Sequence, residues 1–258
     1  MTRAVDRAAR ILLSLASGTP RLGVSEISTL IDVPKATVHT MLRTLERHDL
    51  ITQDPDGGKY TLGPAVLQLS NAYLDGSALR ARSASWAQML ARQTGEGVWV
   101  GVLSGANAVV IHHALRPDDL VQIPEVGAAV PWYACALGQA IAAWLDDTAQ
   151  AQLLACPTPP LTGRTLTQPA ALRQALSRVR QQGYAIEDQE ATVGEAGLAA
   201  PVFDWSQRVV GALGVVGPAE RLLADPTRAR LADAVRATAR ALSRDLGARR
   251  VPAPVAAD

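Results

Sequence analysis

The apolar and polar positions of this chain follow two regimes, a helical period in the first third and a mixture of helical and alternating periods after it. From Arg3 to about Ala16 apolar residues recur at helical spacing, with Val5, Ala8, Leu12 and Leu15 on one side, and Gly18-Thr19-Pro20 ends that helix. A short helix is expected from Ser25, whose hydroxyl suits an N-cap, with Glu26 in the positive first turn. Ile27, Leu30 and Ile31 give it one apolar face. Asp32-Val33 makes a turn, and Pro34 opens a second helix, where its missing N–H has no cost. Val38, Met41, Leu42 and Leu45 form the buried stripe of that second helix. Leu50-Ile51-Thr52-Gln53 and Lys59-Tyr60-Thr61-Leu62 then alternate as a hairpin around Asp54-Pro55-Asp56-Gly57-Gly58, a turn whose glycines permit positive φ. Alternation directs Tyr60 inward and Lys59 outward.

Gly63-Pro64 breaks the hairpin, and helical patterns resume over Ala65 to Leu74 and Ala78 to Arg92, separated by Asp75-Gly76-Ser77. These two helices suit a linker, although the second reads equally well as an ordinary helix of the domain that follows. From Gly95 the period shortens: GVWVGVLSG and ANAVVIHHAL are two β runs around a Ser-Gly-Ala-Asn turn. Leu120 to Val130 is an irregular extended stretch, Ala134 to Leu145 is helical, and Asp147 to Leu154 is a further short helix. After a Pro/Thr/Gly-rich loop, Gln168 to Gln182 is amphipathic, with Leu172, Leu176 and Val179 in register and Gly183 as its stop. Three β runs follow, Tyr184 to Glu187, Gly197 to Phe203 and Val209 to Val216. A last helix, Thr227 to Leu246, carries Leu231, Val235, Thr238 and Leu242 on one face. Antiparallel strands with helices interposed, and no Gly-rich phosphate loop, predict an α+β domain and not a doubly wound one. The expected division is a winged helix-turn-helix over 1–63, a helical linker over 64–94, an α+β sensor domain over 95–247 and a disordered tail over 248–258.

Composition narrows this picture. The chain has 258 residues, 48% of them hydrophobic, enough to fill two cores, and a net charge of +1 that favours no particular partner. No run is long and apolar enough to predict a membrane span, and the interleaved charges of MTRAVDRAARILLSLAS do not form a signal peptide. Cys135 and Cys156 lie in no CxxC pair and fit a reducing cytoplasm.

The second helix of the first domain shows a polar face of Lys35, Ala36, Thr37, His39, Thr40, Arg43 and Arg47. Small residues near the N-terminus let a helix enter the major groove and basic ones reach phosphates, with Lys59 of the hairpin available to an adjacent phosphate. The partner read from this face is double-stranded operator DNA; an αα-hairpin in a protein-binding module has the same spacing. Catalytic chemistry is not expected, since no GxSxG, HExxH or P-loop occurs. Neither a metal nor any other cofactor is expected: His112 and His113 are adjacent on a β run and point to opposite faces. Cys135, at a helix start, reads either as a reactive thiol or as a small pocket residue, and Asp188 with Glu190 as an acid pair or a solvated edge. Trp132-Tyr133-Ala134-Cys135-Ala136-Leu137 leads into a helix whose first N–H groups suit a carboxylate, and Trp99 adds a third aromatic. These residues predict a pocket for a small acid effector, aromatic or of medium length.

RAVDRAARILLSLAS, PKATVHTMLRTLERHDLI, PWYACALGQA and the stretch from Arg180 through Ala-Ala-Pro-Val to Leu222 together resemble the IclR family of bacterial transcription regulators, over about Arg3 to Leu246. The resemblance implies a GAF-like effector domain and DNA binding as a homodimer, often assembled into a homotetramer. It adds Gly197, where relatives often carry Cys, to the effector-site candidates, which also include Glu190 and Leu198. Relatives commonly have Ser at Ala36, Arg at Thr40, His at Tyr133, Lys at Gln139 and Cys at Gly197, so this chain departs from them in both expected sites.

Overall fold

The structure, a computed structural model, describes residues 2–16, 21–55, 57–117 and 125–249. The expected helix stop at Gly18-Thr19-Pro20, the central Asp56 of the hairpin turn, the first part of the extended stretch at Leu120 and nearly all of the tail lie outside the described residues. The chain divides into two compact units, Met1–Gly76 and Ser77–Asp258.

In the first unit, helix α1 (Arg3–Ala16) packs behind α2 (Val24–Ile31) and α3 (Lys35–Glu46), and strands β1 (Ile51–Gln53) and β2 (Tyr60–Leu62) pair antiparallel beside them. The core holds Ile11, Leu15, Ile27, Ile31, Val38, Leu42, Leu45, Ile51 and Tyr60. The buried stripe of α1 is centred on Ile11 and Leu15; Val5, expected on it, is 67% exposed because the stripe begins one turn later, near Ala8. Helix α2 starts after Gly23 and not at Ser25, because Glu26 reaches back to accept the Gly23 N–H at 2.6 Å. Asp32 closes α2 in the left-handed region at φ 54°, and Ser28 Oγ donates to the Val33 carbonyl at 2.6 Å, so the turn into α3 is tied on both sides. Tyr60 is buried, its backbone bridged to Leu22, while Lys59 is exposed. Helix α4 (Ala65–Asp75) follows and buries none of its residues.

The second unit is a three-layer α+β arrangement around one antiparallel sheet of order β5-β4-β3-β8-β7-β6. Its strands are β3 (Gly97–Ser104), β4 (Asn107–Ala114), β5 (Ala129–Pro131), β6 (Ala185–Asp188), β7 (Glu195–Phe203) and β8 (Val209–Pro218). Helices α5 (Ala78–Thr94) and α10 (Thr227–Asp245) cover one face. Helix α6 (Ala136–Ala142) covers the other, with α8 (Pro169–Gln182) behind it; α7 (Asp147–Leu154) and α9 (Ala219–Leu222) are short connectors. Ser77 caps α5 by accepting the Arg80 N–H, and α5 buries Leu79, Ala87, Leu90 and Ala91, so it is a helix of this unit and not a free linker. The helix expected from Ala134 to Leu145 is divided. Trp132–Ala134 is a 3-10 turn, Cys135 is extended at φ −142°, and only then does α6 begin. A Cβ on Gly138 would stand 2.4 Å from the Trp132 backbone, so only glycine lets α6 pack against that turn. Ala248, placed in the tail by sequence, is buried, its N–H bonded to the Ser243 carbonyl beyond a left-handed Gly247.

Candidate functional site

The first unit presents one chemically coherent surface. Val38, Leu42 and Leu45 anchor α3 in the core, which leaves Lys35, Ala36, His39, Thr40, Arg43 and Arg47 exposed and Thr37 half-buried. Thr40 turns its hydroxyl back onto the Ala36 carbonyl at 3.1 Å, which keeps the middle of this face low. Arg47 lies at the C-cap, its N–H on the Arg43 carbonyl, one turn from Arg43. Lys59 stands at the hairpin, where Nζ is 3.7 Å from Glu26 Oε2. Hydrogen bonds from Asp54 N–H to the Lys59 carbonyl and from Gly58 N–H to the Asp54 carbonyl close the hairpin tip. The face therefore carries cations at both ends and small side chains between them.

The second unit contains a cavity of about 100 Å³ between α6 and the sheet. Of the candidates read from sequence, Trp99, Cys135, Ala136, Leu137 and Gly197 line it. Trp132 and Tyr133 are buried in the core beneath α6, with Ala134, and Tyr133 donates its hydroxyl to the Pro159 carbonyl at 2.8 Å instead of offering it to the cavity. Leu198 follows Gly197 along β7 and so faces the other side of the sheet. Glu190 is buried but turns away, accepting a hydrogen bond from Gln139 Nε2 at 2.8 Å and lining a separate half-open pocket with Arg178 and Gln182. Asp188 does not pair with it; the Asp188 carboxylate is ion-paired to Arg164.

The helix start that was expected to hold a carboxylate is partly occupied by the chain itself. Cys135 Sγ accepts the Gly138 N–H at 3.4 Å, and the Cys135 carbonyl accepts that of Gln139. Burial pushes the Cys135 thiol up to about 12, which removes it as a thiolate nucleophile at neutral pH and leaves it as a wall of the cavity. His112 and His113 are both held below the usual histidine range by burial; His113 Nδ1 accepts the Glu125 N–H and its ring meets Trp99 edge-on. Among the described residues no group of three or more His, Cys, Asp or Glu could hold a metal ion.

Glu187, Thr192 and Glu195 complete the polar part of the lining, and none was singled out in the sequence. Glu187 had a visible signal: it sits two residues after the buried Ala185 on a short strand, an inward position where a charge is unusual. Its Oε1 accepts the N–H of Glu190 at 2.5 Å and of Ala191 at 3.4 Å, which clamps the turn that follows β6. That turn is tight, with Gln189 at φ 59° and its side chain bonded to the Gly194 N–H. Thr162 and Thr165 hold it from outside through the Gln189 and Glu190 carbonyls.

A helix-turn-helix with a hairpin wing, joined in one chain to an α+β unit with an internal cavity, defines a DNA-binding regulator with a sensor domain. Sequence comparison gives the family. The IclR helix-turn-helix domain matches residues 4–55, and the bacterial transcriptional regulator IclR C-terminal domain matches residues 71–244. The chain belongs to the IclR family of transcription regulators. It is 43% identical to the glycerol operon regulatory protein of Streptomyces griseus, over 96% of this chain and 98% of that one. It is 30% identical to the regulator XynR of Escherichia coli, over 95% and 97% of the two chains. An IclR regulator from Silicibacter sp. TM1040 superimposes with a TM-score of 0.82 at 26% identity, covering 95% of this chain and 96% of that one. Among the described residues no helix is long and apolar enough to cross a membrane.

Proposed function

We propose that this regulator binds a pseudo-palindromic operator as a homodimer, with α3 in the major groove, and that a small effector held in the cavity of the second unit changes its affinity for DNA. The observation that carries the DNA half is the exposed face of α3. Arg43 and Arg47 reach phosphates or guanine edges, Lys35 and Lys59 neutralise flanking phosphates, and Ala36, Thr37, His39 and Thr40 face base edges. A homodimer accounts for the exposed apolar side chains Leu69 and Tyr73, one turn apart on α4, which a lone chain would leave in water. The effector site of this reading comprises Trp99, Cys135, Ala136, Leu137 and Gly197, with Glu187 as its buried polar group. Similarity to the Streptomyces glycerol operon regulator supports an operon of small-carbon-source utilisation as the target. Cytoplasmic residence and further assembly to a tetramer complete the proposal.

Fluorescence anisotropy with the chain's own upstream DNA tests it. If Arg43 neutralises a phosphate, Arg43→Ala weakens all sequences alike and lowers the salt slope by about one unit. If it reads a base, the loss is about 1–3 kcal/mol and confined to one operator position. Unchanged operator affinity in both Arg43→Ala and Arg47→Ala would remove α3 from the interface.

A further inference from the structure

The polar groups that line the cavity are few and of one sign. Among the described residues, Glu187, Thr192, Glu195 and Cys135 supply its polar side chains, and no Lys, Arg or His is among them. Glu187 is 6% exposed, and its two oxygens are used differently. Oε1 is engaged by the N–H groups of Glu190 and Ala191. Oε2 is within 3.8 Å of where a Cβ on Gly197 would stand, a position that opens on the cavity, and no described donor reaches it. Oε2 is therefore an acceptor left open toward the cavity, free to take a hydrogen bond from a ligand that donates to it. Glu195, at the end of β7 and exposed, places a second carboxylate at the same cavity. An anionic ligand would meet two like charges, offset among the described lining residues only by the start of α6 at Ala136 and Leu137.

We propose that Glu187 is the specificity-determining residue of this cavity, and that it selects a small neutral ligand carrying hydroxyl donors, a short-chain polyol, over carboxylate and phosphate anions. The proposal rests on the cavity being the effector site. Size agrees with the chemistry. An apolar cavity of about 150 Å³ accepts benzene, so the present volume of about 100 Å³ suits a ligand no larger than benzene. The ligand's hydroxyls donate to Glu187 Oε2 and exchange with the Thr192 hydroxyl, while its carbon chain lies against Trp99, Leu137 and Val215. The charged and titratable groups that face Glu187 are Asp188 on its own strand, Glu190 in the turn, Glu195 on β7 and Cys135 before α6. Burial first, and then Asp188 and Glu195, push Glu187 up to about 7, against the two N–H groups that hold it down. A hydroxyl donor needs the ionised form and binds more tightly as pH rises through 7. A carboxylate needs a proton between itself and Glu187 and binds less tightly over the same range.

The test is titration of the full-length protein, wild type and Gly197→Val side by side, with glycerol and with propionate at pH 6 and pH 8, read by tryptophan fluorescence. Saturable glycerol binding is expected, several-fold tighter at pH 8 than at pH 6 and at least tenfold weaker in Glu187→Gln, whose amide keeps the acceptor for the turn but not the charge. Propionate is expected to give no saturable response at pH 8. Propionate binding at pH 8 as tightly as glycerol, glycerol binding that ignores both pH and Glu187→Gln, or no saturable response to either probe, overturns the proposal. Were the acid to bind the wild type and fail in Gly197→Val, the cavity would stand as the effector site and only its ligand class would fall. Binding that persists at wild-type strength in Gly197→Val would place the ligand elsewhere and overturn both readings. The pH comparison on the wild type needs no variant to fold.

Discussion

Glu187 and Glu190 stand three residues apart and are both buried. Among the described residues neither forms a salt bridge with an arginine, although Arg178 lies near enough to Glu190 to favour its ionised form. Burial raises both above the usual carboxylate range, Glu187 to about 7 and Glu190 to about 8, with their mutual repulsion adding to Glu190. A carboxyl raised in the folded state contributes stability that is complete below its unfolded value, near 4.5, and is lost as pH rises through the folded one. The second unit should therefore melt progressively lower from pH 6 to pH 9. Glu190→Gln should match the wild type near pH 5 and melt higher than it at pH 9, by roughly 3 °C or more; equal melting temperatures across that range would show that Glu190 stays ionised without cost. These two residues also mark the limit of a sequence reading. Glu190 was visible as a candidate, but alternation alone could not say that its side chain turns onto Gln139 and away from the cavity. Tyr133 belongs to the stretch expected to form the pocket, and its hydroxyl is committed to the carbonyl of Pro159, a residue distant in sequence.

At the level of elements, periodicity located nearly every helix and strand, because each has one face that must be dry. It misjudged places where a backbone detail outweighs the pattern. Ser25 has the composition of an N-cap, yet Glu26 moves the helix start to Gly23 by accepting its N–H. The run from Ala134 to Leu145 is uniformly small and apolar, so nothing in its period reveals the extended Cys135 that separates the 3-10 turn from α6. Gly138 makes that junction possible. Gly138→Ala would force α6 off the Trp132 backbone, and overpacking of this kind costs about 1–3 kcal/mol. The expected result is a lower melting temperature together with loss of the effector response, since Cys135, Ala136 and Leu137 move with the junction. An unchanged thermal midpoint would mean that the turn yields without cost.

For the molecule as a whole, two cores with no shared buried residues imply two unfolding events. Calorimetry should resolve them, and an effector bound in the α+β unit should raise one transition and leave the other in place. At 100 times its Kd the expected gain is about 2.7 kcal/mol for that unit. A single transition that shifts as one body would show that the units unfold together. Assembly is a property of the same scale. If Leu69 and Tyr73 are covered by a second chain, Tyr73→Asp should lower the mass measured by sedimentation and weaken operator binding without disturbing either core. An unaltered mass would move the interface off α4. The division into units was legible from the change of period near Gly95, but the boundary itself falls at Gly76/Ser77, because α5 buries a full face that its weakly amphipathic sequence does not announce.

The Glu26 carboxylate both closes the start of α2 and lies 3.7 Å from Lys59 on the wing. Thermodynamically, Lys59 then enters an operator complex already partly neutralised. Each free cation that meets a phosphate displaces a condensed counterion from DNA and steepens the salt dependence by about 0.9 units. Lys59 exchanges one carboxylate for another anion and returns less than that, so the measured slope should fall short of the number of basic side chains in the interface. Glu26→Gln keeps an acceptor for Gly23 while releasing Lys59, and the sensitivity of binding to ionic strength should then rise toward the full count.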